Sequence, residues 1–154
     1  MNKTLTINYQ ELSLKALTET DRQLVQKAIA ATNTAYSPYS HFSVGAALRL
    51  VNGEIVVGSN QENIAYPSGL CAERTAMFSA AAQHPEVAFD SLAIVAHNAE
   101  GTLTPASPCG ACRQVMAEYE HRWKRNFRVL VYFSEDKILI FDEVKSLLPF
   151  IFTL

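Results

Sequence analysis

Two apolar runs near the end of the chain, residues 127–133 and 137–141, are separated only by Ser134-Glu135-Asp136. A parallel crossover needs a dozen residues or more, so a link this short forces the runs to pair as antiparallel strands. Elsewhere helical and strand patterns alternate. Thr20-Asp21-Arg22-Gln23 has the form of a capping box, and Leu24, Val25, Ala28, Ile29, Thr32, Ala35 and Tyr36 follow at helical spacing, which predicts a helix over 20–36. Ser37-Pro38-Tyr39-Ser40 stops it. Phe42, Val44, Ala46, Leu48 and Leu50 then alternate with other residues up to Asn52-Gly53, a dipeptide favoured in type I′ turns, so 42–60 reads as a hairpin. A small-residue helix is expected from Cys71 to His84-Pro85, a buried strand at 91–97, a helix after Pro108 ending near Trp123, and a short helix at 142–148. The most economical arrangement is an α/β fold in three layers, α-β-α, with one five-stranded mixed sheet.

The 154 residues are 49 % hydrophobic and 18 % charged, enough apolar material for one domain over 1–154 with a core that needs no disulfides. Thirteen Lys and Arg against fifteen Asp and Glu give a formal charge of −2 with no basic block, which argues against a nucleic-acid partner. Apolar runs fall well short of the ~20 residues of a membrane span. The first residues lack the apolar stretch and small-residue cleavage site of a signal peptide, so a cytoplasmic location is expected.

Three cysteines is an odd number, and two lie three apart, a pattern suited to metal binding rather than to a disulfide framework. Cys71-Ala72-Glu73 opens one expected helix and Pro108-Cys109-Gly110-Ala111-Cys112 opens another, which places all three thiols where exposed N–H groups favour thiolate. Zn²⁺ accepts such ligands, and three of them leave one tetrahedral position for water, the arrangement of catalytic sites. Glu73, two residues from Cys71, can face the same pocket without ligating and shuttle protons. Together these residues match the zinc-deaminase signature, in which activated water attacks carbon 4 of cytosine or carbon 6 of adenine.

Four segments extend the match: 38–48 (Pro-Tyr-Ser-His-Phe-Ser-Val-Gly-Ala-Ala-Leu), 60–66 (Asn-Gln-Glu-Asn-Ile-Ala-Tyr), 71–76 (Cys-Ala-Glu-Arg-Thr-Ala) and 108–114 (Pro-Cys-Gly-Ala-Cys-Arg-Gln). In order and spacing they resemble the small cytidine deaminases of pyrimidine nucleoside salvage. The resemblance implies hydrolysis of cytidine and deoxycytidine to uridine and deoxyuridine with release of ammonia. It implies Zn²⁺ on Cys71, Cys109 and Cys112, Glu73 as catalytic proton shuttle, and Arg74 offsetting charge at the metal, since three thiolates and Zn²⁺ sum to −1. Asn60 and Glu62 correspond to the ribose-binding pair and Ala65 and Tyr66 to contacts with the base. Phe42 corresponds to an aromatic wall beside the pyrimidine, although an aromatic on an alternating strand is more often plain core. Ile64 departs from the small residue common at its position. Phe152 corresponds to an aromatic that reaches a neighbouring subunit's site in a homotetramer, with a core role as the alternative. Two further readings remain: a deaminase of another aminopyrimidine, such as a nucleoside-like antibiotic, and a zinc-stapled interaction module, which would need a fourth protein ligand.

Overall fold

A computed structural model describes residues 1–154. Its strands are β1 (Gln10–Leu12), β2 (Ser43–Leu50), β3 (Ile55–Ser59), β4 (Phe89–His97), β5 (Leu103–Thr104), β6 (Arg128–Ser134) and β7 (Lys137–Phe141). Its helices are α1 (Glu19–Ala31), α2 (Ala72–Gln83) and α3 (Gly110–Trp123). The sheet runs β1-β7-β6-β4-β2-β3, with β5 added beside β4. Only β4 and β6 pair in parallel, and β6 and β7 form the antiparallel pair that their short link demands. The sheet is therefore mixed, as expected, but it has seven strands rather than five. The two extra strands are short: β1 lies antiparallel to β7 and β5 to β4, and neither carries a periodic pattern. Pairing with an edge already in place, rather than their own sequence, makes them strands.

Three boundaries differ from expectation. Helix α1 stops at Ala31, followed by a 3₁₀ turn over Thr32–Thr34, and its cap is Thr18, whose hydroxyl accepts from Asp21 N at 3.3 Å. Thr20 is inside the first turn. At 142–148 there is a 3₁₀ turn over Val144–Ser146 rather than a helix. In the hairpin, Gly53 has φ of 90° but Asn52 does not enter positive φ, so the turn is not type I′. Gly53 N instead donates to Leu50 O at 2.9 Å, and Asn52 Oδ1 accepts from Glu54 N at 3.1 Å, so the asparagine acts through its side chain.

Apolar side chains collect on both faces of the sheet. Leu24, Val25 and Ala28 of α1 pack with Ala47, Ala93, Val95, Leu130 and Ile140 on one face. Ala72, Ala76 and Met77 of α2 and Cys112 and Met116 of α3 pack with Leu48, Leu92, Ile94 and Val129 on the other. Two glycines let the helices sit close. A Cβ on Gly45 would lie 2.1 Å from the Ala28 carbonyl oxygen of α1, and one on Gly58 would lie 2.5 Å from Ala76 N of α2. No side chain could occupy either position without moving main chain. Asp21 of α1, 3 % exposed, pins that helix to the sheet through Arg49 at 3.1 Å and Arg128 at 2.8 Å. On the other face, Gly58 sets the height of α2 over β3, and with it the position of Cys71.

Candidate active site

Cys71 is the N-cap of α2 and Cys109 the N-cap of α3, both with extended backbone, and neither side chain caps its helix. Their sulfurs are free to face each other at 3.9 Å. Cys112, in the first turn of α3 and fully buried, places its sulfur 3.5 Å from that of Cys109. All three sulfurs lie within 4.8 Å of one another. A tetrahedral centre with Zn–S bonds of about 2.3 Å needs sulfurs about 3.8 Å apart, so the triangle fits Zn²⁺. No fourth His, Cys, Asp or Glu belongs to the cluster. That leaves the three-ligand pattern of catalytic zinc rather than the closed pattern of a structural staple.

Two neighbours tune the thiols. Arg74, one turn into α2, donates from Nη2 to the Cys71 sulfur at 3.3 Å, while its Nε is buried without a hydrogen-bond partner. A hydrogen bond from the Cys112 thiol, with further help from Arg74, holds Cys71 down at about 5 against the opposing effect of burial. The same bond pushes the Cys112 thiol up, because Cys112 is the donor, and burial adds to the rise. Glu73 is 5 % exposed, at the root of this cluster. Burial pushes its carboxyl above the usual carboxylate range; its own backbone N–H pulls the other way, and the charge of Cys71 adds to the rise. A carboxyl raised in this way holds its proton more firmly than an exposed one, which suits it to proton transfer.

A cleft of about 520 Å³ opens beside Cys71 and Arg74, walled by Asn60, Glu62 and Tyr66 and by Tyr39, Ser40, Gln61 and Asn63. The Asn60 amide is fixed at the end of β3: Oδ1 accepts from Val44 N at 2.7 Å and Nδ2 donates to Phe42 O at 2.8 Å. The Glu62 carboxylate accepts from Tyr39 N at 2.9 Å, from Ser40 N at 3.2 Å and from the Ser40 hydroxyl. Tyr39 and Tyr66 meet edge to face, with centroids 5.8 Å apart.

The structure thus brings together the three cysteines, Glu73, Arg74, Asn60, Glu62 and Tyr66. It does not bring all expected residues to the cleft. Phe42 is half-buried just before β2 and meets the cleft wall through its main chain: its carbonyl accepts from Asn60 Nδ2, and its N–H donates to the Ser40 hydroxyl at 3.1 Å. Ala65 is exposed beside the cleft, with its N–H turned to Asn63 Oδ1 at 2.8 Å. Phe152 lies apart, 72 % exposed on the flank of α3, where Gln114 Nε2 donates to its carbonyl at 2.9 Å. Sequence reasoning gave no role to Tyr39, Ser40, Gln61 or Asn63. The bond from Ser40 to Glu62 crosses 22 positions, and no local pattern announces it.

Residues 18–125 match the family described as the cytidine and deoxycytidylate deaminase zinc-binding region. The cytidine deaminase of Halalkalibacterium halodurans is 50 % identical over 99 residues, which are 64 % of this chain and 71 % of that protein. A crystal structure of cytidine deaminase from Burkholderia pseudomallei superposes with a TM-score of 0.73 at 39 % identity, covering 88 % of this chain and 100 % of that one. A blasticidin-S deaminase of Bacillus cereus is 30 % identical over 107 residues, covering 67 % of this chain and 75 % of that protein. With the match spanning both cysteine-bearing helices and the strands beneath them, the chain belongs to the cytidine and deoxycytidylate deaminase zinc-binding family.

Proposed function

We propose that this chain, as one domain over 1–154, hydrolyses cytidine and deoxycytidine to uridine and deoxyuridine. One water is consumed and one ammonia released. The observation that carries the reading is a triangle of thiols at zinc spacing with a buried glutamate at its root, opening on a cleft walled by a fixed amide and a fixed carboxylate.

Cys71, Cys109 and Cys112 would hold Zn²⁺, which in a three-ligand site supplies a nucleophile from water near neutral pH. Glu73 takes the proton released by the water and passes protons to the ring nitrogen and the departing amine. Its burial keeps bulk water from competing for that proton. Arg74 donates to the Cys71 thiolate and offsets the negative charge that three sulfurs bring. Asn60 has used one N–H and one lone pair on the protein, leaving one of each for a sugar hydroxyl. Glu62 offers about four acceptor positions and fills three of them with Tyr39 and Ser40, so one remains for a hydroxyl proton. Phe42, Ala65 and Tyr66 complete the surroundings of the base in this reading.

The cleft also favours a nucleoside over a nucleotide. Arg74 is its single cationic side chain and is engaged with sulfur, while Glu62 would repel a phosphate. Ammonia release from cytidine by the purified protein tests the assignment directly. Free cytosine, which leaves the Asn60 and Glu62 positions unpaired, should have a kcat/KM lower by roughly 10⁴-fold. Equal values for base and nucleoside would remove the ribose assignment. Activity on an aminopyrimidine antibiotic without activity on cytidine would favour the substrate of the Bacillus cereus relative instead.

A homotetramer in the cytoplasm completes the proposal. No helix is long and apolar enough to cross a membrane. Val57, Ile64, Phe78 and Phe152 are exposed apolar side chains suited to burial between copies, with Phe152 reaching a neighbour's cleft. Sedimentation should give about four times 17.0 kDa, and a fully active monomer would overturn the assembly.

A further inference from the structure

Arg113 follows the last of the three cysteines, and the chemistry of the site gives it no task. Its side chain nevertheless makes two short bonds to main chain. Nε donates to the Pro108 carbonyl at 2.8 Å, and Nη1 donates to the Leu147 carbonyl at 2.8 Å. The first acceptor belongs to the peptide bond that enters Cys109, so the guanidinium holds the peptide plane from which that thiol projects. The second acceptor is a fixed post: Leu147 is 8 % exposed, packs in the same core as Cys112 and Met116, and donates its own N–H to Val144 O at 2.8 Å.

Cys109 has few other restraints. It is exposed, it precedes the first turn of α3, and its side chain caps nothing. Cys112 is held by burial, and Cys71 receives the Arg74 bond. Cys71 and Cys109 both stand at the end of a loop, but only Cys71 receives a bond from a charged side chain at its sulfur; for Cys109, Arg113 instead ties the loop to the core.

We propose that Arg113 is a positioning residue for the metal site, fixing the Pro108–Cys109 peptide against Leu147 so that the Cys109 sulfur stays at ligand distance from its partners. This rests on the reading that the three cysteines hold zinc. A planar guanidinium can hold two carbonyls in fixed relative orientation, whereas an ammonium on a flexible stem has rotatable donors that fix no such orientation. Outer partners of this kind are worth roughly 10–100-fold in metal affinity.

The test uses the purified, zinc-loaded protein and a chromogenic chelator in excess, with the rate of zinc release as readout. Arg113→Ala should release zinc at least about tenfold faster than the parent, with unchanged far-ultraviolet dichroism, and Arg113→Lys should recover part of the difference. Gln114→Ala serves as comparator, because Gln114 grips only the backbone of Phe152 and makes no contact with the Pro108 turn. Its release rate should equal the parent's. Parent-like release from Arg113→Ala overturns the proposal, as does equal acceleration in Gln114→Ala, which would make the effect a general loosening of the C-terminal segment. If Arg113→Ala does not fold, Arg113→Lys carries the test, and parent-like release from it, with no loss of retention, overturns the idea. A parent protein that binds no zinc defeats the zinc reading itself, a distinct result.

Discussion

Glu73→Gln is expected to lower turnover by roughly 10²–10⁴-fold while leaving the fold and the zinc content intact. Glutamine matches glutamate in size and retains a hydrogen-bonding oxygen, so the tight packing around this 5 % exposed side chain is preserved. What it lacks is an exchangeable carboxyl proton. Hydrolysis of an aminopyrimidine needs a proton moved from water to the ring nitrogen and another to the leaving amine, and no other acid is buried beside the thiols. Because burial raises the Glu73 carboxyl, the native side chain holds a proton more readily than an exposed carboxylate does, and the amide has none to transfer. Cytidine should still bind, since Asn60 and Glu62 lie across the cleft. Steady-state kinetics together with metal analysis decides the matter. Near-native turnover would refute the shuttle role, and loss of zinc or of folding would make the residue structural.

The second large effect is expected from Cys109→Ala. Among the three thiols this one is exposed, so its removal leaves no cavity in the core, whereas replacing the buried Cys112 would mix metal loss with packing loss. Two thiolates bind Zn²⁺ far more weakly than three. Metal content should drop from about one ion per chain to less than about a tenth, with turnover falling in step and secondary structure unchanged. An alanine variant with full metal and full activity would show that Cys109 is not a ligand.

The residues that carry chemistry were more legible than the residues that hold them. Cys71, Glu73, Cys109 and Cys112 announce themselves because metal chemistry restricts both type and spacing, and both helix starts fall within a residue or two of the thiols. Strand β7 begins and ends where its apolar run does, and the short link before it fixes its direction. By contrast, β1 and β5 owe their form to neighbours distant in sequence. The same holds for Ser40, which reaches Glu62, and for Arg113, which reaches Leu147 across 34 positions. The Asn52-Gly53 dipeptide marked the turn correctly but not its type: Gly53 alone takes positive φ, its N–H closes on Leu50 O, and the Asn52 side chain accepts from Glu54 N.

The contact at Gly58 has a mechanical consequence. Since α2 rests on β3 main chain against main chain, the joint beneath Cys71 has no side chains to act as a spring. No rotamer change can therefore alter the spacing of α2 and β3 at that contact, and the start of α2 can lift from the sheet there only by tilting the whole helix. The compliance of the site is left to the other side, at the turn that leads into Cys109.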